Sequence, residues 1–211
     1  MTPDDVLKTG TTTVGMVCKD AIILAADKRA TAGDLIVDKK TEKIKPITDN
    51  MALTVAGTVS DIQLLVKLIK AEIKLKDIRT ARATTVVEAA NLLAGMVYSN
   101  IRKISMIPGI SHFLLAGYDL KTYLFDIFPD GSISEVEDFV SSGSGSVFAY
   151  GVLEANYSKN LAEEDGVKLA VKAVNAALQR DSVSGDGIDV FVINKNGVKK
   201  VFQKAVNSRI E

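Results

Sequence analysis

Residues 11–30 read TTTVGMVCKDAIILAADKRA, and this stretch begins the pattern that decides the fold class. Positions 12–19 and 21–26 are rich in β-branched and apolar residues, and the polar pair Lys19-Asp20 separates them. Two such runs around a short polar break are typical of a β-hairpin. A second hairpin is predicted at 43–56, where Asp49-Asn50 has the composition of a turn.

The hydrophobic period then changes, which indicates helices. Ile62, Leu65, Ile69 and Ile73 recur at three- and four-residue spacing. A second helix is predicted over about 85–104. The remaining predicted elements are strands at 112–117, 122–128 and 133–141, helices at 147–157 and 162–180, and closing strands at 187–193 and 198–202. Pairs of helices between groups of hairpin-connected strands predict one α+β domain with mainly antiparallel sheets.

Composition excludes several classes of function. The 211 residues include 26 Lys plus Arg and 26 Asp plus Glu, so the formal net charge is zero. A neutral chain lacks the long-range field that nucleic acid or an anionic membrane requires, and we expect neither as a partner. No apolar run approaches the roughly 18 residues of a membrane span. The acidic start MTPDDVLKTG lacks the apolar region of a signal peptide, so a cytoplasmic location is predicted.

Scarce histidine and cysteine restrict the possible chemistry. Cys18 is the only cysteine, so an internal disulfide and a Cys₄ metal site are both excluded. His112 is the only histidine, so a Ser-His-Asp triad would have to use it. We interpret His112 as a loop or strand-edge residue. A hydrolase of this sequence is therefore predicted to work without histidine.

Thr11 follows Gly10 directly and begins a run of three threonines. A threonine hydroxyl needs a base, and the freed α-amino group of the same residue, with a reference pKa of about 7.7–8.0, would serve. Cutting after Gly10 would free that amine, and glycine leaves the carbonyl uncrowded. A threonine-rich strand start is the alternative interpretation, and composition and spacing leave both open.

Other candidates are ambiguous when taken singly. SSGSGS at 141–146 has the composition of a tight loop whose hydroxyls cap a helix. Lys43 lies in a lysine-rich stretch typical of a solvated surface. Asp27 would suit a turn, and Gly57 would suit the end of a strand.

Several segments taken together carry a specific resemblance. They are GTTTVG at 10–15, AADKRAT at 25–31, the lysine at 43, TVAGTVSD at 54–61, SSGSGSVFAYGVLE at 141–154 and QRDSVSGDGID at 179–189. From Thr11 to Glu211 the chain resembles the β subunits of archaeal-type proteasome core particles, which are N-terminal nucleophile hydrolases. The resemblance implies a four-layer αββα sandwich of two mainly antiparallel sheets flanked by helix pairs.

The resemblance also implies roles for individual residues. It implies a catalytic group of six side chains, which are Thr11, Asp27, Lys43, Ser144, Asp181 and Ser184. It implies that the Gly57 amide forms the oxyanion hole. Removal of a propeptide, 1–10, by a cut after Gly10 would leave 11–211 as one catalytic domain. The residues implied to line the pocket for the substrate side chain before the cut are Ala30, Thr31, Thr41, Lys45, Val55, Val59 and Gln63.

The implied activity is a threonine-type endopeptidase that needs neither metal nor organic cofactor. The implied partners are other β subunits in two stacked seven-membered rings, proteasome α subunits, a regulatory ATPase acting through the α ring, and unfolded polypeptide substrates. Val55 at the pocket floor favours apolar substrate side chains, whereas Lys45 departs from the apolar residues common at its position. The alternatives are a catalytically silent β subunit, the simpler two-ring bacterial relative, and a related hydrolase of small amides.

Overall fold

The computed structural model describes residues 10–106 and 108–206. Positions 1–9 of the predicted propeptide and the C-terminal residues 207–211 lie outside the described residues. The strands are β1 (Thr13–Val17), β2 (Ile22–Asp27), β3 (Ala30–Ala32), β4 (Leu35–Asp38), β5 (Ile44–Pro46), β6 (Met51–Gly57), β7 (Ser111–Tyr118), β8 (Thr122–Ile127), β9 (Ile133–Glu135), β10 (Phe139–Ser142), β11 (Gly187–Asn194) and β12 (Gly197–Ala205). The helices are α1 (Val59–Thr80), α2 (Val86–Ile101), α3 (Ser146–Asn156) and α4 (Glu163–Arg180).

Two five-stranded sheets organise the described part of the chain. The first has the order β10-β1-β2-β11-β12, and the second has the order β5-β6-β7-β8-β9. Neighbouring strands pair antiparallel, as do β3 and β4, which form a separate two-stranded ribbon. The predicted α+β class with antiparallel sheets is confirmed.

Period-two alternation divides the apolar side chains among three buried clusters. In β2, Ile23 joins a cluster with α3 and α4, whereas the next residue, Leu24, joins a cluster shared by the two sheets. In β7, Leu114 also lies between the sheets, whereas Phe113 packs with α1 and α2. Successive residues of β2 and β7 therefore alternate between a cluster that contains helix residues and a cluster that contains residues of both sheets.

The predicted strand 133–141 is wrong, because the chain changes sheets within it. β9 pairs with β8 in the second sheet, whereas β10 pairs with β1 in the first. Two backbone bonds guide the crossing: Val136 N donates to Leu124 O, and Val17 N donates to Asp138 O. This change of sheet brings the chain after β10 alongside β1, where the candidate site lies.

One predicted helix boundary also differs from the structure. The helix predicted over 85–104 ends at Ile101, because the Asn100 amide group donates to both Asp61 Oδ1 (2.9 Å) and Gly109 O (3.0 Å) and holds the returning chain. The stretch 31–42, whose mixed composition suits a loop with a short extended piece at 35–37, contains most of the β3–β4 ribbon. In the described ranges, none of the helices combines the length and apolar character of a membrane span.

Thr13→Val is expected to raise the free energy of unfolding by about 1 kcal/mol. Thr13 is fully buried, and its Oγ1 has no hydrogen-bond partner within the described residues. Valine keeps the β-branched shape suited to a strand and removes the unpaired hydroxyl. Urea unfolding of the unassembled chain would measure the change. A loss of stability would show that the hydroxyl has a partner outside the described residues, such as an ordered water.

Candidate active site

The bond between Gly10 and Thr11 lies at the centre of a buried polar cluster. Thr11 is 5% exposed, and its Oγ1 donates to the carbonyl oxygen of Gly10 at 2.6 Å. Lys43 Nζ donates to the same carbonyl oxygen at 3.1 Å. A hydroxyl and an amine therefore meet at the carbonyl that would be cut to free the Thr11 amine.

Asp27 holds Lys43 in this position. Lys43 Nζ lies 2.7 Å from Asp27 Oδ1, and both side chains are buried. The pKa of Lys43 is lowered by burial, while the Asp27 carboxylate opposes part of that shift. A lowered pKa brings the neutral amine, which can accept a proton, closer to physiological pH.

Backbone amides fix the Asp27 carboxylate in turn. Its Oδ1 also accepts from Thr12 N at 2.9 Å, while its Oδ2 accepts from Arg29 N at 3.1 Å and Gly185 N at 3.0 Å. These amides come from the residue before β1, from the residues after β2 and from the segment before β11. The carboxylate is thus satisfied by main chain as well as by Lys43, which accounts for a buried acid at the end of β2.

A second group of side chains surrounds the Thr11 nitrogen. Thr11 N donates to Ser144 Oγ at 3.3 Å, and Ser144 Oγ donates to Asp181 Oδ2 at 2.6 Å. Ser184 Oγ also donates to Asp181 Oδ2, at 2.6 Å. The structure therefore brings together all six side chains that the resemblance implied as catalytic.

The interpretation of SSGSGS as a source of capping hydroxyls is wrong. Gly145 is the N-cap residue of α3, and no side chain makes a capping bond there. The hydroxyl of Ser144, one position earlier, donates to Asp181 and accepts from Thr11 N. The preceding Gly143 has φ +94°, and a Cβ there would overlap the Thr11 carbonyl. The glycines let this turn approach Thr11 closely.

Two further glycines bound the site. A Cβ at Gly10 would overlap Val183, so the residue before Thr11 has no room for a side chain. Open space around the carbonyl was the predicted reason for glycine here, whereas the structure gives close packing as the reason. Gly57 has φ +126°, and a Cβ there would overlap the carbonyl oxygen of Ile110. Its backbone lines the same cavity as Gly10, Thr11 and Lys43.

That cavity has a volume of about 320 Å³. All seven residues expected to line the substrate pocket border it: Ala30, Thr31, Thr41, Lys45, Val55, Val59 and Gln63. Ala56 and Ile62 add apolar surface, while Asp38, Lys40 and Glu42 add charge that the sequence did not predict. The arrangement provides an apolar cleft with a charged rim directly beside the Thr11 hydroxyl.

Charges on the rim partly compensate each other. Lys45 Nζ lies 3.9 Å from Glu42 Oε2, and Glu42 also faces Lys200 at 3.3 Å. The hydrogen bond from Lys200 lowers the pKa of Glu42 and so favours its ionised form. The carboxyl of Asp38 accepts from Thr41 Oγ1 at 2.6 Å. Lys45 therefore borders the cleft beside a carboxylate.

Thr12 is a site residue that sequence reasoning missed. It is fully buried, its amide donates to Asp27, and its Oγ1 lies 2.8 Å from Ser184 Oγ. Because the Ser184 proton goes to Asp181, Thr12 is the donor in that contact. Thr12 thus links the Asp27–Lys43 pair to the group around Ser144. Within a run of identical threonines, no local pattern distinguishes this role.

The cluster offers acyl-transfer chemistry: a hydroxyl nucleophile, an adjacent amine, an oriented carboxylate and a backbone amide lining the cleft. Among the described residues, no group of three or more His, Cys, Asp or Glu side chains is arranged to hold a metal ion.

Comparison with known proteins places the chain among proteins of one family. The family model described as "Proteasome subunit" matches residues 7–193. A "Proteasome subunit beta" from Methanocaldococcus fervens is 46% identical over 197 residues, covering 92% of this chain and 86% of that protein. The protein of the same name from Methanocaldococcus jannaschii is 45% identical with the same coverage. That from Methanococcus maripaludis strain C5 is 44% identical over 192 residues, covering 90% and 86%.

Proposed function

The chain belongs to the proteasome subunit family, and we propose that it is a proteolytic β subunit of a proteasome core particle. The proposed activity is threonine-type endopeptidase cleavage of unfolded polypeptides, after the precursor removes its own residues 1–10. The observation that carries this proposal is that Thr11 Oγ1 and Lys43 Nζ both donate to the Gly10 carbonyl. A subunit kept only for architecture has no need of this buried lysine–aspartate pair.

Self-cleavage begins with attack of Thr11 Oγ on the Gly10 carbonyl carbon. The hydroxyl proton passes to the neutral form of the Lys43 amine, whose lowered pKa makes that form accessible. The Gly10–Thr11 carbon–nitrogen bond breaks as the nitrogen is protonated, which leaves an ester on Thr11 Oγ. Water then hydrolyses the ester, releasing residues 1–10 as a carboxylic acid and freeing the Thr11 amine.

The freed amine stays beside Ser144, whose hydroxyl is held by Asp181. In substrate turnover, Thr11 Oγ attacks a peptide carbonyl, an acyl ester forms, and water releases the second product. We assign the oxyanion contact to the Gly57 amide, which lines the cleft where its lack of Cβ leaves the backbone bare. No metal or organic cofactor takes part.

The family implies assembly with other subunits of the core. We propose two stacked seven-membered β rings, α-subunit rings that cover them, and a regulatory ATPase acting through the α ring, in the cytoplasm. For the fold we propose the four-layer αββα sandwich of N-terminal nucleophile hydrolases. The three separate apolar clusters, one between the sheets and one under each helix pair, support that arrangement.

Intact-mass measurement tests this function most directly. The full chain is purified alone and after mixing with proteasome α subunits, and hydrolysis of fluorogenic peptides is followed in both samples. We expect the mass to fall by residues 1–10 and peptidase activity to appear together. A mass that never falls, in an assembled particle without peptidase activity, would instead support the catalytically silent subunit.

Peptides with leucine or phenylalanine before the cut are expected to react about tenfold faster than peptides with glutamate there. Val55, Val59 and Ile62 give the cleft apolar walls, and Glu42 partly neutralises Lys45. Fluorogenic peptides that differ only at this residue provide the measurement.

Lys45→Met is the matched control for the apolar preference. This variant should lower the rate of cleavage after glutamate, while the rate of cleavage after leucine should stay within about twofold of that of the unmodified protein. Faster cleavage after glutamate than after leucine by the unmodified protein would contradict the predicted apolar preference without contradicting the protease assignment.

A further inference from the structure

The only histidine of the sequence forms a bridge between the two sheets. His112 lies in β7, and its Nδ1 is 2.7 Å from Oγ of Ser142 in β10. Its Nε2 is 2.5 Å from Oδ1 of Asp126 in the neighbouring β8. The imidazole also stacks on Phe128, with ring centroids 5.3 Å apart. Asp126, His112 and Ser142 thus form a chain of side chains from one sheet to the other.

The direction of these hydrogen bonds follows from the buried carboxylate. Asp126 is 5% exposed, and an ionised carboxylate only accepts, so His112 Nε2 carries a proton. In the neutral imidazole Nδ1 then accepts from the Ser142 hydroxyl. With Nε2 donating and Nδ1 accepting, both ring nitrogens have partners, so the role of the bridge is mechanical.

The residue types are those of a serine-protease triad, yet the placement does not suit a nucleophile. Ser142 is 4% exposed and pairs with Thr13 inside the β1–β10 ladder. It contacts Nδ1, and the carboxylate contacts Nε2, the reverse of the usual order. A substrate carbonyl would have to enter the sheet to reach its oxygen.

The position of Ser142 in the fold gives the bridge its importance. Ser142 is the last residue of β10, an edge strand that pairs only with β1 in its sheet. The next two residues are Gly143, which packs on the Thr11 carbonyl, and Ser144, which accepts from Thr11 N. An edge strand is hydrogen-bonded to a neighbouring strand on one side only. A hydrogen bond from the opposite sheet therefore limits the movement of its last residue.

The other end of the bridge is anchored beside Gly57. His112 is paired with Ala56, and Ser111 with Gly57, in the β6–β7 ladder. The bridge therefore connects β7, the neighbour of the strand that carries the candidate oxyanion glycine, with the turn that holds the Thr11 nitrogen. The Gly57 amide and the turn that holds Thr11 must keep a constant separation. Attack by Thr11 and stabilisation of the developing negative charge can then occur at the same substrate carbonyl.

We propose that His112, held by Asp126, is a positioning residue that links Ser142 and the following Gly143–Ser144 turn to β7, which pairs with the strand bearing Gly57. It touches no substrate and acts only through Ser142. The proposal rests on the protease function proposed above for its effect on catalysis, but its effect on the turn is independent of that function.

His112→Phe and Ser142→Ala test the bridge in particles assembled with α subunits. Phenylalanine keeps a ring to stack on Phe128 and removes both hydrogen bonds. We expect either variant to lower kcat about tenfold, with KM within about twofold of the unmodified protein. Ser142→Thr, which keeps a hydroxyl, should restore most of the activity. The double variant should be no worse than either single variant, because both remove the same contact.

Ser141→Ala is the matched control. Ser141 is a buried neighbour in β10 whose hydroxyl donates to Thr13 O at 2.8 Å, within the same sheet. It should lower stability as much as Ser142→Ala while leaving kcat unchanged. Equal losses of kcat in the two serine variants would overturn the proposal, since they would reflect general destabilisation.

Hydrogen exchange separates this inference from the protease assignment. In the unassembled precursor, His112→Phe should speed exchange of the 143–146 amides about tenfold, with little change in α4. Unchanged exchange together with unchanged kcat would overturn the bridge while leaving the protease standing. An inactive unmodified particle would contradict the protease assignment alone, and the amide exchange rates would still test the bridge.

Fluorophosphonate labelling of Ser142 in the Thr11→Ala variant would overturn the mechanical role in favour of a second nucleophile.

Discussion

Thr11→Ala is expected to leave residues 1–10 attached and to lower peptide hydrolysis by at least about 10³-fold. The change removes the hydroxyl that donates to the Gly10 carbonyl at 2.6 Å. Neither neighbouring threonine can substitute, because the Thr12 hydroxyl is bonded to Ser184 and the Thr13 hydroxyl is buried within the strand. Intact mass and fluorogenic peptide hydrolysis, both measured after assembly with α subunits, give the two readouts.

Thr11→Ser is the matched control for this prediction. Serine keeps a hydroxyl at the same position, so the mass should still fall by residues 1–10 and activity should stay within about tenfold of the unmodified protein. A Thr11→Ala particle that loses its first ten residues and retains peptidase activity would place the nucleophile elsewhere.

Lys43→Met is expected to slow both propeptide removal and peptide hydrolysis by about 10²- to 10⁴-fold. The substitution removes the amine that contacts Gly10 O and that, in its neutral form, would take the Thr11 proton. The protein should still fold, because Asp27 keeps its bonds from the Thr12, Arg29 and Gly185 amides. Precursor processing followed by mass over time measures the first rate, and peptide hydrolysis measures the second.

Lys28→Met provides a control of equal burial. Lys28 is 4% exposed and pairs with Asp189 at 2.8 Å, so removing it also breaks a buried ion pair. Lys28 contributes no bond to Gly10 or Thr11, and we expect lower stability with kcat unchanged. If Lys28→Met and Lys43→Met lose activity equally, the loss reflects the broken ion pair, and Lys43 has no chemical role.

The six candidate catalytic residues depend on both sequence and structure, in different ways. Asp27 and Lys43 are 16 positions apart, and neither is distinctive where it stands in the chain. Resemblance to a family identified both, and the structure then supplied the distances and the lowered Lys43 pKa. The reason for glycine at position 10 came only from the structure, because Val183 is remote in sequence and adjacent in space.

Sequence patterns failed where the chain leaves one sheet for the other. The run 133–141 has a composition suited to one strand, and local propensity contains no information about which sheet will accept each half. Pairing of β9 with β8 and of β10 with β1 decided the division. Hydrogen bonds from the Asn100 side chain likewise ended α2 at Ile101, whereas its composition predicted an end at about 104.

The sequence by itself determined the α+β class and the order of most elements through hydrophobic periodicity, and its resemblance to a family supplied the family and the six catalytic candidates. Only the tertiary structure decided how Thr12 joins the two halves of the site and how His112 connects the two sheets. Both roles depend on hydrogen bonds between residues far apart in the chain, whose partners become neighbours only when the sheets stack.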